Sequence, residues 1–140
     1  MNNSKSHTIS IMVVNKPGVL MRVAQVFSRR GFNIDSLVVS SGADSKYARM
    51  TISAQSYGGD LSQMKKQLSK LVDVMHCIEH DNNNSITKEL ALIKVACDAS
   101  NRTALLQIVE HFSCKTVGLT TTTMIIEATG NSDKLDAMIE

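Results

Sequence analysis

From Thr8 to Val14 apolar positions first alternate (Ile9, Ile11) and then run on (Met12-Val13-Val14), the signature of a half-buried strand. Asn15-Lys16-Pro17-Gly18 breaks that pattern. After it the spacing lengthens to a helical stripe of Val19, Leu20, Val23, Val26 and Phe27, with Arg22, Gln25 and Arg29 on the other side. Pro17 suits the first helical turn, where its missing N–H is not needed, and Gly31 suits the stop. Phe32–Ser40 returns to strand character, with Phe32, Ile34 and Val38 predicted on one face and Leu37 and Val39 on the other. Ser41–Ser45 reads as a hairpin-like loop and Tyr47–Gln55 as the next strand, Ala48, Met50 and Ile52 opposing Arg49, Thr51 and Ser53. A helix bearing Leu61, Met64, Leu68 and Leu71, then a strand with Val72, Val74 and Ile78, completes a βαββαβ order.

The pattern then restarts. Asp81-Asn82-Asn83-Asn84-Ser85 is polar and turn-rich, placing a linker over 81–88 between a domain at 1–80 and a second at 89–140. In the second, Glu89–Cys97 is a strand, Leu105, Ile108, Val109 and Phe112 mark a helix, Lys115–Thr121 and Thr123–Thr129 are strands, and Asp133–Ile139 begins a helix. The expected class is therefore α+β, with two tandem ferredoxin-like domains. The second stops where a closing strand is expected, so it reads as truncated before its last strand. Two cores of this size, and a sheet face left bare and half apolar, call for association with another copy.

Composition narrows the function classes. The 140 residues are 43% hydrophobic and 20% charged, as in an ordinary globular protein. A net charge of +2 gives no ground for nucleic-acid or membrane binding, and strands with Ala48, Met50, Val72 and Val74 lack the aromatic platform that base stacking needs. Cys77, Cys97 and Cys114 show neither disulfide nor zinc spacing and read as small buried hydrophobes. His76, Cys77 and His80 lie on a strand, where residues four apart are about 13 Å from each other, too far to share one metal ion. The polar start Met1–Ser6 is no signal peptide, and a cytoplasmic location is expected. Dinucleotide, Walker, HExxH and GxSxG motifs are absent. No catalytic residue is expected.

Two polar features could bind something. Asn15-Lys16-Pro17-Gly18-Val19-Leu20 sets the unpaired N–H groups of a helix start directly after a strand, with Gly18 permitting close approach; such a start favours a carboxylate. Asn33, two residues past Gly31, can both donate and accept, as binding of a zwitterion requires. Taken alone, each is more often simply an ordinary turn.

The run Asn15-Lys16-Pro17-Gly18-Val19-Leu20-Met21-Arg22-Val23, then Phe27-Ser28-Arg29-Arg30-Gly31-Phe32-Asn33-Ile34-Asp35-Ser36-Leu37, resembles the ACT domain of acetohydroxyacid (acetolactate) synthase small subunits. Ala48–Ile52, Gln67–Val74 and Lys134-Leu135-Asp136 resemble the same family, so the likeness runs from Thr8 almost to the end. It implies a regulatory subunit of branched-chain amino-acid biosynthesis, homodimeric through its ACT domains. It further implies feedback by valine held by Asn15, Gly18, Val19 and Leu20 of one copy with Asn33 and Ile34 of the other. The implied partner is the large catalytic subunit, which would carry thiamine diphosphate, Mg²⁺ and FAD, with no cofactor or metal in this chain. A free-standing ACT sensor for another pathway is the alternative. Lys16 and Met21 depart from the family pattern, where an acidic or amide residue and a small one are usual. The second domain has Asp98-Ala99-Ser100-Asn101 in place of the Pro-Gly turn, and no amino-acid site is expected there.

Overall fold

The structure, a computed structural model, describes residues 5–81 and 83–140. Met1–Ser4 and Asn82, which belong to the polar start and the linker discussed above, lie outside the described residues. The chain divides into two compact units, Met1–Ser85 and Ile86–Glu140.

The first unit comprises β1 (Lys5–Val14), α1 (Val19–Arg29), β2 (Phe32–Ser41), β3 (Tyr47–Ser56), α2 (Leu61–Ser69) and β4 (Val74–His80). Its four strands form an antiparallel sheet in the order β2-β3-β1-β4, the ferredoxin-like arrangement. The amphipathic stripes decide which face is covered. Ile9, Ile11 and Val13 of β1 and Ala48, Met50, Ile52 and Ala54 of β3 pack against Val19, Val23 and Phe27 of α1 and Met64 and Leu68 of α2. Burying each of the larger aliphatic side chains contributes about 1.5–3 kcal/mol. Gly59 stands so close to Arg30 O and the Phe32 ring that an added Cβ would fall 2.5 Å from the former and 2.6 Å from the latter. The entrance to α2 therefore packs directly on the end of α1.

Three local expectations change. The β2–β3 register shifts between Ile34 and Ser36, so Leu37 pairs with Ile52, Val38 with Thr51 and Val39 with Met50. Directly paired residues share a face. Leu37 and Val39 therefore join Phe32 and Ile34 on the helix side, and Val38 points the other way: the extra residue of a bulge inverts the alternation. In β4 a second shift, opposite Met12/Val13, separates Val74 on the helix side from Ile78, which pairs with Ser10. Val72 precedes the strand and is almost fully exposed. The open face is more polar than expected, carrying Thr8, Ser10, Thr51, Ser53, Gln55, His76 and His80 around Met12, Val38 and Ile78.

The second unit comprises β5 (Glu89–Ala96), α3 (Arg102–His111), β6 (Lys115–Leu119), β7 (Thr123–Gly130) and α4 (Ser132–Ile139), with strand order β5-β7-β6. Cys97, Val109, Met124 and Ile126 form its core, with Val95, Leu105, Cys114 and Met138 packed against it. Both units are thus ferredoxin-like α+β arrangements in the order their hydrophobic patterns predict. Cys97 lies inside this core and Cys77 packs on that of the first unit, as small hydrophobes do.

Candidate functional site

The segment between β1 and α1 is held on three sides by its backbone and by one side chain. Val14 N–H donates to Asp73 O (2.8 Å) and Asn15 N–H to Lys46 O (2.8 Å), tying the end of β1 to the turns before β4 and β3. The Asn15 side-chain N–H₂ donates to Ser45 O (3.0 Å). Gly18 then caps α1 at φ 85°, a left-handed conformation that glycine adopts without a steric cost. Pro17 sits in the turn before this cap, outside the helix and not in its first turn. No side chain caps the helix, and among the described residues no acceptor meets the N–H groups of Gly18, Val19 or Leu20. Such a start offers donors and the positive end of the helix dipole to an anion.

Charged side chains complete the surroundings. Asp73, nearly buried at the entrance to β4, takes Lys16 Nζ on Oδ1 (2.7 Å) and Arg22 Nε (3.0 Å) and Nη2 on Oδ2. The Lys16 hydrogen bond above all holds the Asp73 carboxyl below the usual carboxylate range; burial opposes it and Arg22 adds to it. Lys16 thus has a structural partner in this chain. Two cations and one carboxylate leave a net positive charge beside the open helix start.

The six residues expected to line a site occupy different settings. Asn15 and Gly18 are exposed on the loop, and Leu20 is 43% exposed in the first turn of α1. Val19 is 2% exposed and belongs to the core, so it has only its backbone to offer a ligand. Asn33 is exposed at the start of β2, its N–H₂ donating to Asp35 Oδ1 (3.2 Å), and Ile34 is partly buried against the core.

Within one chain these residues form two separate groups. Val14, at the loop, pairs with Tyr47; Asn33 pairs with Gln55, beside Ser6 at the far end of β1. Eight residues of β3 separate the two levels, about 27 Å at strand spacing. One chain cannot close Asn33 onto its own loop.

The second unit makes a contrast at the corresponding turn. Asp98 Oδ1 accepts Ser100 N–H (2.8 Å), Ser100 Oγ–H and Asn101 N–H (3.2 Å), so a carboxylate from the chain itself already stands before α3. The Ser100 hydrogen bonds hold that carboxyl below its usual range.

Comparison with known proteins gives these features a family. Residues 9–76 match the model of the acetohydroxyacid synthase small subunit-like ACT domain, and residues 88–140 that of the small subunit of acetolactate synthase. Over 138 residues the sequence is 44% identical to the acetolactate synthase small subunit of Mycolicibacterium smegmatis, covering 99% of this chain and 81% of that one. The chain belongs to the acetolactate synthase small-subunit family. A probable acetolactate synthase small subunit of Methanothermobacter thermautotrophicus is 39% identical over 136 residues, with coverage of 96% and 81%. The crystal structure of the acetolactate synthase small subunit from Thermotoga maritima superposes with a TM-score of 0.86 at 37% identity, covering 96% of this chain and 84% of that one. The family resemblance drawn from the Asn15–Leu37 segment therefore holds along almost the whole chain, and the first unit is the ACT regulatory domain.

Sequence reasoning passed over two residues of this small subunit. By its sequence Arg22 is one more cation on the polar side of the helical stripe, and Asp73 falls inside the strand expected from Val72 to Ile78. Asp73 is 51 positions from Arg22, so only the fold brings them together. The available signal was weak: an aspartate one residue before Val74, where the strand begins.

Proposed function

We propose that this chain is the regulatory subunit of an acetolactate synthase, that it activates the large catalytic subunit, and that valine bound between two ACT domains mediates feedback. Thiamine diphosphate, Mg²⁺ and FAD belong, on this reading, to the large subunit.

One observation supports the shared site most strongly: the loop at Asn15–Leu20 and the amide of Asn33 lie at opposite ends of the same sheet. A two-fold axis resolves the separation. The outer edge of β2 has no partner strand among the described residues and exposes Leu37, Val38 and Val39, an edge prone to pair with a like edge. Antiparallel pairing of two β2 strands about their middle sets Asn33 of one copy level with Ser40–Ser41 of the other. Those two residues lie beside Ala48 and Arg49, at the loop's end of the sheet. In that arrangement the helix start meets the valine carboxylate, Asn33 of the second copy meets the ammonium group, and Leu20 and Ile34 receive the isopropyl group. Burying that side chain is worth about 1.5–3 kcal/mol.

Mixing two crippled chains tests this. Gly18→Asp spoils the loop and leaves Asn33; Asn33→Ala does the reverse. Each alone should show no site of wild-type affinity for valine in calorimetry. A randomly exchanged equimolar mixture should regain about one quarter of the wild-type sites, because half the dimers are mixed and each has one intact site. Recovery of no sites refutes the shared site. Assay of the wild-type chain with and without its large subunit, with and without valine, tests activation and feedback; absence of both points to a free-standing sensor instead.

A further inference from the structure

The ion pair under the effector loop is one-sided. Arg22 meets Asp73 with Nε and Nη2 only. Its third nitrogen, Nη1, has no acceptor among the described residues and stands 3.1 Å from where a Cβ on Gly18 would be. The side chain is 43% exposed, its guanidinium anchored at one edge and open at the other. A planar fork fixed in this way presents its remaining donors in a set direction. The Asp73 carboxylate is in turn fixed by Lys16 on its other oxygen, and the Asp73 carbonyl takes Val14 N–H. Asp73 therefore fixes both the loop and the cation beside it.

We propose that Arg22 recognises the carboxylate of the effector through Nη1, and that Asp73 is the positioning residue that aims it. This rests on the valine site described above and adds to it the group that makes a free α-carboxylate obligatory. The helix start alone would accept any small anion or polar group. A guanidinium edge beside Gly18 selects ligands that bring a full negative charge to that point.

Two probes separate recognition from scaffolding: L-valine and L-valinol, which keeps the ammonium and isopropyl groups and has a hydroxymethyl in place of the carboxylate. Calorimetry on the intact chain gives the ratio of their dissociation constants. A charge-assisted hydrogen bond is worth about tenfold to a hundredfold in affinity. Arg22→Gln should weaken valine by about that factor and leave valinol almost unchanged, so that the ratio collapses. Arg22→Lys keeps a cation without the fork and should give an intermediate ratio; it also preserves the test if the glutamine variant misfolds. Asp73→Asn should reduce the ratio without abolishing it. Parallel weakening of both ligands in the Arg22 variants would reduce Arg22 to a structural residue and overturn the proposal, as would an unchanged ratio. Failure of the wild-type chain to bind valine at all would overturn the valine reading as well, a different result from a wild type that binds and variants that do not discriminate.

Discussion

Substitution at Gly18 separates charge from shape in the loop before α1, where the proposed site lies. Gly18 caps α1 at φ 85°, a conformation that costs an alanine about 1–2 kcal/mol. A Cβ there would meet Arg22 Nη1 at 3.1 Å and Cζ at 3.9 Å and nothing else within 4 Å. Since the neighbour is the end of a flexible side chain, a small shift relieves the contact. Gly18→Ala should therefore lose about 1–2 kcal/mol of stability, most of it backbone strain, and bind valine a few-fold more weakly. Gly18→Asp carries the same strain in milder form, because aspartate tolerates the left-handed region better, and its carboxylate would lie against the Arg22 guanidinium. It should be the more stable of the two variants. Against valine the order reverses. Two carboxylates about 4 Å apart repel by about 4 kcal/mol at an effective dielectric of 20 and about 1 kcal/mol in water. At this exposed loop the value falls between these limits, a loss on the order of ten- to a hundredfold in affinity. Urea denaturation gives the stability order and calorimetry the affinity order. Equal affinity losses in the two variants would mean that shape alone matters at this position. Wild-type affinity in Gly18→Asp would move the site elsewhere.

Two further outcomes concern the scaffold. Gly59→Ala should cost about 1–3 kcal/mol in urea unfolding, because the added methyl would press on the backbone carbonyl of Arg30 and the buried Phe32 ring, neither of which can swing away; a cost below experimental error would show that this junction is looser than drawn. Asp73 should make acid stability depend on the loop. Its carboxyl is depressed in the folded chain, so its contribution is complete above the unfolded value and is lost as pH falls through the lower, folded one. The gap between wild type and Asp73→Asn should hold constant at about pH 5–7 and narrow below about pH 4, and a gap that widens on acidification would contradict the ion-pair account.

What the sequence by itself determined here is local. Alternation at Ile9–Val13 and Ala48–Ile52, and the helical stripe from Val19 to Phe27, were enough to order these elements of the first unit, because burial of an apolar face follows the period of the backbone that carries it. The Pro-Gly turn likewise announced an open helix start, since that depends on neighbours only two or three residues away.

Tertiary structure decided the rest, wherever a result depended on register or on distant partners. A single extra residue near Asp35 turned Val38 to the open face and Leu37 and Val39 to the helix side, and no periodicity within β2 betrays that shift; only the pairing with β3 defines it. Val19 entered the core because α1 lies on the sheet with that side down. Arg22 and Lys16 became a directed cluster because the approach to β4 brings Asp73 beneath them. Asn33 and Gly18 are close in sequence yet lie at opposite ends of the sheet, since α1 carries the chain to the far end before β2 begins; that geometry is why a site built from both needs a second copy of the chain.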